Sequence, residues 1–170
     1  MEKAIKYATD AHEGQKRKLI DAPYILHPME TAAIVSRITC DEDVVCAAIL
    51  HDVAEDTGRS IDEIERLFGK RVAELVGAET EDKRTNLPPE ATWRVRKEET
   101  LAHLRQTEDR AVKILWLADK LSNMRSVYNA YLRHGDGIWR EFHEKDKEKQ
   151  RWYYASVADA LRNDFKGFAA

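Results

Sequence analysis

Hydrophobic positions recur at helical spacing along most of the chain, and no stretch shows the two-residue alternation of a half-buried strand. Two stretches, residues 44–50 and 111–118, are apolar on nearly every side and predict two buried helices, which continue to about residues 58 and 133. Further helices are predicted over residues 2–12, 28–38, 60–68, 70–77, 92–106 and 144–165, with one long loop at 79–92. The pattern predicts an all-α protein in which residues 1–170 form one domain.

The composition is that of a globular protein and argues against two classes of partner. Hydrophobic residues make up 43% and charged residues 35% of the chain. The net charge of −3, from 28 Lys and Arg against 31 Asp and Glu, predicts no general electrostatic binding of nucleic acid. No apolar run approaches the roughly 20 residues that span a bilayer, and the first residues lack the apolar core of a signal peptide. We therefore expect no membrane association and a cytoplasmic location, with Cys40 and Cys46 as reduced core thiols.

The first buried helix ends in ionisable residues that its apolar pattern does not explain. Four of them fall within six positions: His51, Asp52, Glu55 and Asp56. At about 100° per residue, His51 and Glu55 stack on one side of a helix. Asp52 and Asp56 stack on the adjacent side. A buried carboxylate is costly unless it is paired, protonated or bound to a metal, so these side chains need partners.

The second buried helix and a helix entrance each carry one more such residue. Asp119 interrupts the second apolar run, and His27 stands between Leu26 and Pro28. Imidazole and carboxylate groups together suit a divalent transition metal such as Mn, Fe or Zn. In the alternative, Asp52 and Asp119 form ordinary salt bridges and His27 caps a helix. Charges left unexplained on two apolar helices favour a metal site that ties three helices together.

Four segments resemble, in the same order, the HD-domain (p)ppGpp hydrolases of the RelA/SpoT superfamily. They are QKRK with PYILHP at residues 15–18 and 23–28, AILHDVAEDT at 48–57, FGKRVAELV at 68–76 and LADKLSNM at 117–124. A His-Asp dyad alone is weak evidence, whereas these segments in this order are specific. The resemblance covers residues 1–130 most closely. Because 170 residues leave no room for a synthetase domain, the chain is similar to the stand-alone small alarmone hydrolases, which include the metazoan SpoT homologue.

The resemblance implies a compact multi-helix HD-domain bundle that holds one Mn²⁺ per chain. The implied metal ligands are His27, His51, Asp52 and Asp119. The resemblance also implies that Glu55 and Asp56 orient and deprotonate the attacking water. General chemistry agrees, since a metal lowers the pKa of water and a nearby carboxylate can accept its proton.

The resemblance places three further residues at a small nucleotide substrate. Arg17 would lie against the guanine ring, Lys18 near the phosphates, and Asn123 would hydrogen-bond the nucleoside. Residue type alone leaves other interpretations open. Arg17 and Lys18 are equally compatible with a solvated basic pair, and Asn123 with an amide on a helix surface.

Three segments depart from the family pattern or lie beyond it. The segment 17–27 is one residue longer than the spacing associated with the bacterial bifunctional enzymes, and it carries Leu19 and Ile20 where small or polar residues are expected. The basic segment 83–97 either binds additional phosphates or forms a solvated surface. The aromatic residues at 139 and 152–154 are predicted to pack in the core.

Three functions remain open at the level of sequence. The first is Mn²⁺-dependent hydrolysis of the 3′-pyrophosphate of guanosine 3′-diphosphate 5′-di(tri)phosphate, which gives GDP or GTP and pyrophosphate. The second is a broader HD nucleotide phosphohydrolase that acts on NADPH or other phosphorylated nucleotides. The third is a non-catalytic nucleotide-binding module with a structural metal. Glu55 and Asp56 favour an enzyme, because a structural site needs ligands but no water-activating carboxylates.

Overall fold

The computed structural model describes residues 1–84 and 86–166, and within them the chain is helical, as predicted. Extended backbone pairs among these residues in one isolated antiparallel bridge, between Lys16 and Pro23. The helices are α1 Glu2–Ala11, α2 Leu26–Val35, α3 Glu42–Leu50, α4 Val53–Asp56, α5 Ile61–Phe68, α6 Lys70–Glu79, α7 Pro89–Gln106, α8 Arg110–His134, a 3₁₀ helix Gly135–Glu141 and α9 Lys147–Leu161.

Helix α3 and the first half of α8 form the centre of the molecule, as predicted, whereas the second half of α8 has an exposed face that includes Tyr128 and Leu132. All residues of the apolar body of α3 except Cys46 are buried. Helix α3 packs against α1, α2, α6 and α8, while α8 also contacts α2, α6, α9 and the 3₁₀ helix. A helix with neighbours on all sides has no solvent face, which explains the absence of polar positions in the apolar body of α3. None of the described helices is long and apolar enough to cross a membrane.

The first buried helix is shorter than predicted. It ends at Leu50, and a turn at His51 and Asp52 separates it from α4. The ψ angle of Asp52 is −7°, far from the value of about −42° in a regular α-helix, so the regular helix is interrupted there. The interruption places two of the predicted metal ligands, His51 and Asp52, in a turn between two helices rather than within one.

Several other predicted boundaries are also corrected by local chemistry. Helix α7 begins at Pro89 rather than near residue 92, because proline has no N–H to lose at the first helical position. Helix α9 begins at Lys147 rather than at residue 144, because the side chain of Asp146 caps it by accepting a hydrogen bond from Glu148 N at 2.9 Å. Helix α2 begins at Leu26, which brings His27 into its first turn. Thr85, in the predicted loop, lies outside the described residues.

Two expectations about core residues have different outcomes. Tyr153 is buried in the main hydrophobic core, as predicted. Trp139 packs against a smaller cluster formed by Val127, Ala130 and Ile138. The expectation of two core thiols is wrong for Cys40, which is exposed just before α3, whereas Cys46 is half-buried.

Candidate metal centre and active site

Two histidines and an aspartate from three different helices meet in the interior. His27 comes from the first turn of α2, His51 follows the end of α3, and Asp119 lies in the middle of α8. All three are buried, and their donor atoms lie within 4.8 Å of one another. His27 Nε2 is 2.9 Å from Asp119 Oδ1 and 3.3 Å from His51 Nε2. The helices that the sequence predicts to be tied together therefore meet at these side chains.

Asp52 is the fourth predicted ligand, and it lies beside the same cluster. Its Oδ2 is 3.2 Å from His51 Nε2 and 3.5 Å from His27 Nε2. Two imidazole nitrogens and two carboxylate oxygens form a donor set that suits Mn, Fe or Zn.

Hydrogen bonds on the far side of each imidazole fix which nitrogen faces the cluster. His51 Nδ1 lies 2.9 Å from the Ala48 carbonyl, which can only accept, so Nδ1 donates. His27 Nδ1 lies 2.9 Å from Ser122 Oγ, whose own proton goes to Glu30 Oε2 at 2.7 Å. In the neutral rings both Nε2 lone pairs therefore face the carboxylates, an arrangement typical of metal-binding histidines.

The cluster strongly favours a positive charge at its centre. Burial works against the protonated form of His51, but Asp52 and Asp119 outweigh it and raise the pKa of His51 well above its usual range. Burial also opposes ionisation of Asp119, yet Lys120 and the two histidines hold its pKa well below the usual range. Lone pairs and carboxylates that converge in this way need protons or a cation between them, so the residues fit a bound metal ion.

Glu55 and Asp56 of α4 lie on the wall of a cavity of about 560 Å³. Glu55 Oε2 accepts a hydrogen bond from the backbone N–H of Glu81 at 3.1 Å. Burial raises the pKa of Glu55, an effect that this N–H opposes. Asp56 is in contact with the Lys83 ammonium, and its backbone carbonyl accepts a hydrogen bond from Gln15 Nε2 at 3.0 Å. Both carboxylates are held in place by the chain around them.

The predicted substrate residues line the same cavity. Arg17 Nη2 donates to Asn123 Oδ1 and to Ser126 Oγ, each at 3.1 Å. Asn123 Nδ2 in turn donates to Asp119 Oδ1 at 2.6 Å. A chain of hydrogen bonds therefore joins the entrance loop, residues 12–25 between α1 and α2, to the His-Asp cluster. Lys18 is exposed at the wall of the cavity.

The additional length of the entrance loop carries apolar side chains to this cavity. Leu19 packs against the smaller hydrophobic cluster, as does Phe142, and Ile20 is exposed. Both side chains line the cavity wall, so the loop contributes apolar surface where a more polar wall was expected from the family pattern.

The cations of the basic segment 83–97 are paired with carboxylates of the chain, some at the cavity wall and some on the exposed surface. Arg96 and Lys97 pair with the carboxylate of Glu81 at 2.9 and 2.6 Å. Arg84 and Arg94 pair with Glu99 and Glu98, and Lys83 contacts Asp56. Since these pairs engage the cations of the segment with carboxylates of the same chain, its composition overstates its free charge.

Some functional contacts were not predicted from the sequence. Glu81 fixes Glu55 through its backbone N–H and anchors α7 through its carboxylate. The hydroxyl of Tyr24 donates to Asp52 Oδ2 at 2.7 Å, and Asp56 Oδ2 is 3.0 Å away. The signal for Tyr24 was its position in the PYILHP segment. A backbone donor such as the N–H of Glu81 leaves no signal in residue type.

Comparison with known proteins agrees with this geometry. The family model described as the HD domain matches residues 4–146. The chain belongs to the HD-domain family. A solved structure of lmo0812 from Listeria monocytogenes EGD-e is 35% identical with a TM-score of 0.69, and the match covers 82% of this chain and 80% of that chain. The structure of a metazoan ortholog of SpoT, described as hydrolysing ppGpp and playing a role in starvation responses, is 28% identical with a TM-score of 0.68, covering 96% and 94%.

Curated relatives confirm the predicted similarity to SpoT-type proteins. The guanosine-3′,5′-bis(diphosphate) 3′-pyrophosphohydrolase of Aquifex aeolicus is 30% identical over 98% of this HD-domain chain. The bifunctional (p)ppGpp synthase/hydrolase SpoT of Escherichia coli is 38% identical over 75% of it. The chain corresponds to only 26% and 18% of the lengths of these two relatives.

Proposed function

We propose that this protein hydrolyses the 3′-pyrophosphate of guanosine 3′-diphosphate 5′-di(tri)phosphate, giving GDP or GTP and pyrophosphate. The observation that carries the proposal is the placement of Glu55 and Asp56 on a nucleotide-sized cavity next to a buried His-Asp cluster. We further propose that residues 1–170 act as one domain in the cytoplasm, where guanine nucleotides are available.

The proposed metal is one Mn²⁺ per chain, held by His27, His51, Asp52 and Asp119. When bound, it would polarise a phosphoryl oxygen and lower the pKa of a water molecule. The hydrogen bonds of Ser122 and of the Ala48 carbonyl orient the two imidazoles for this binding.

In the proposed reaction the chain itself positions the water and receives its proton. Glu55 and Asp56 would orient the water, and one of these carboxylates would take its proton as the bond from the water oxygen to phosphorus forms. The bond from the 3′-oxygen to phosphorus breaks in the same reaction, which releases pyrophosphate, and the 3′-oxygen receives a proton to become a hydroxyl. The raised pKa of Glu55 suits such a group, because a more basic carboxylate accepts a proton more readily. Asp56 is held on the same wall through Gln15 and Lys83.

The walls of the cavity favour a ligand with several phosphates. The basic side chains that line it are Arg17, Lys18, Lys83, Arg96, Lys97 and Lys120, and the acidic ones are Glu55, Asp56, Glu81 and Glu144. Lys83, Arg96, Lys97 and Lys120 are engaged with carboxylates of the chain, whereas Lys18 is exposed at the cavity wall. A cation exposed in a cavity attracts anionic substrates, so we assign Lys18 to the phosphates. Arg17 would contact the purine and Asn123 the nucleoside.

A second candidate is a phosphohydrolase with NADPH or another phosphorylated nucleotide as substrate. The observation that favours it is the apolar surface of Leu19 and Ile20 on the cavity wall. An apolar wall can accept a second ring system and does not select for guanine.

The deciding experiment is an assay of ppGpp, pppGpp and NADPH with Mn²⁺ and purified protein, with separate detection of pyrophosphate and orthophosphate. We expect GDP or GTP and pyrophosphate from the first two substrates. Preferential release of orthophosphate from NADPH would replace our proposal with the second candidate. Nucleotide binding without turnover of any substrate would instead indicate a non-catalytic module.

A further inference from the structure

The hydroxyl of Tyr24 lies between a proposed metal ligand and a proposed catalytic carboxylate. It is 2.7 Å from Asp52 Oδ2 and 3.0 Å from Asp56 Oδ2. A phenol has one proton to donate, and two carboxylates this close repel each other. A shared donor between them reduces that repulsion and sets the distance from one carboxylate to the other.

The ring of Tyr24 is fixed by aromatic and cationic neighbours. It lies 4.8 Å from the ring of His12 and edge-on to His27 at 6.0 Å, between centroids. The guanidinium of Arg17 lies 5.7 Å from the centroid of the same ring. Both oxygens that face the hydroxyl belong to carboxylates, which accept, so the hydroxyl is the donor. Ring and hydroxyl therefore keep one orientation.

Asp56 has a competing partner on its other side. Lys83 contacts its Oδ1 and also lies 3.6 Å from Glu55 Oε1. Lys83 is half-exposed on the loop before α7, so an Asp56 held by it alone would follow the movement of that loop. The bond from Tyr24 attaches the same carboxylate to the buried side of the site.

We propose that Tyr24 is a positioning residue that holds the Asp56 carboxylate in register with Asp52 and so couples the entrance loop to the reaction site. The inference rests on the proposed function, because it assigns Asp56 to water activation. Tyr24 does not touch the reacting atoms and acts through the two carboxylates.

The test is Tyr24→Phe, which removes the hydroxyl and keeps the ring among His12, His27 and Arg17. We expect kcat for ppGpp hydrolysis at saturating Mn²⁺ to fall about 10- to 100-fold, and the Kd for Mn²⁺ to rise about 10-fold, which is the usual effect of losing an outer hydrogen bond to a metal site. KM should change less than about threefold, because Arg17 and Asn123 remain. Tyr7→Phe is the matched control, since that ring packs on Phe68 of α5, and it should behave as wild type.

A double-mutant cycle with Asp56→Asn separates positioning from general structural damage. If Tyr24 acts through Asp56, adding Tyr24→Phe to Asp56→Asn should lower kcat little further. Fully additive losses, or a Tyr24→Phe kcat that returns to wild type once Mn²⁺ saturates, would overturn the inference.

A second readout keeps the inference distinct from the proposed function. If the wild type hydrolyses no guanosine polyphosphate, the proposed function fails, and calorimetric titration of Mn²⁺ without nucleotide still tests the contact with Asp52. Unchanged Mn²⁺ affinity in Tyr24→Phe would then reject Tyr24 as a positioning residue, and about a tenfold loss would support it.

Discussion

Arg17 connects the entrance loop to α8 through side-chain contacts. Its guanidinium reaches Asn123 and Ser126 while lying over the ring of Tyr24. A planar group held on several sides can present a flat face to a purine without losing much freedom on binding. Its geometry therefore matters as much as its charge.

We predict that Arg17→Ala lowers kcat/KM for ppGpp about 5- to 30-fold, which corresponds to the loss of roughly 1–2 kcal/mol of stacking and cation–π energy. Arg17→Lys should not restore activity, because an ammonium has no planar face. Steady-state kinetics on both variants measures this. Arg94→Ala is the control, because Arg94 stacks on Trp152 and pairs with Glu98 away from the cavity lining. Full activity of Arg17→Lys would contradict the stacking argument.

Glu79 is a buried carboxylate next to the metal cluster, and it lacks a hydrogen-bond partner among the described residues. Lys120 Nζ, which contacts Asp119, is 3.9 Å from Glu79 Oε1. Burial, together with repulsion from Asp119, raises the pKa of Glu79 to about 8. The folded protein therefore keeps a proton on Glu79 that the unfolded chain releases near pH 4.5.

Because the pKa of Glu79 is higher in the fold than in the unfolded chain, we expect the free energy of unfolding to depend on pH. Between about pH 5 and pH 8 the unfolded chain binds fewer protons than the fold, so stability decreases as pH rises. We expect Glu79→Gln, which cannot ionise, to gain stability relative to wild type by roughly 1.4 kcal/mol per pH unit across that interval and to level off above it. Urea denaturation of metal-free protein at several pH values measures the difference. Glu74→Gln, on the exposed side of α6, should show no such trend; a parallel trend in both variants would reject the explanation.

Individual site residues were predictable when their type conflicted with their surroundings. His27, His51, Asp52 and Asp119 stand in apolar contexts, and the structure brings these four side chains together. Glu81 could not be predicted in this way, because its neighbours in sequence are polar. Its contacts with Arg96 and Lys97 depend on the path of a loop that periodicity does not describe.

At the scale of the helices, Asp109 joins two elements. Its side chain accepts a hydrogen bond from Ala111 N at 3.0 Å and so caps α8. Arg71 of α6 donates to both of its oxygens, at 2.7 and 2.9 Å. Helix α8, which carries Asp119, therefore begins at a residue tied to its neighbour.

We predict that Asp109→Ala lowers the free energy of unfolding by about 1–2 kcal/mol through loss of the cap. Asp109→Asn keeps an oxygen for the cap and should lose less. The Arg71 hydrogen bonds hold the pKa of Asp109 below its usual range. This stabilisation is therefore present above the unfolded pKa and is lost as the pH falls through the folded one. Urea midpoints at neutral and acid pH measure both effects; equal midpoints for Asp109→Ala and wild type would contradict them.

Helix existence was more predictable than helix ends. The apolar bodies of α3 and α8 follow from periodicity alone, because a buried helix must be apolar on most sides. The turn at His51 and Asp52 was not predicted, since a change of ψ at one residue leaves the apolar pattern intact. Helix α7 starts at Pro89, a residue type that favours the first helical position, whereas the predicted start is near residue 92.

For the whole molecule, the His-Asp cluster joins α2 and α8 to the end of α3, so we expect binding of a metal there to be coupled to folding. We predict that Mn²⁺ at about 100 times its Kd stabilises the wild type by roughly 2.7 kcal/mol. The stability of Asp119→Asn should not change measurably with Mn²⁺. The control Asp136→Asn, at an exposed position, should be stabilised as much as the wild type. Thermal denaturation with and without Mn²⁺ measures this; a full response of Asp119→Asn would remove Asp119 from the metal site.

Asp119, Asn123 and Ser126 occupy one face of the 25-residue helix α8 at spacings of four and three residues. A single inserted or deleted residue between them would rotate everything beyond it by about 100°. Asp119 would then face the cluster while Asn123 and Ser126 faced elsewhere. We therefore expect the stretch of α8 from Asp119 to Ser126 to tolerate substitution but no change of length.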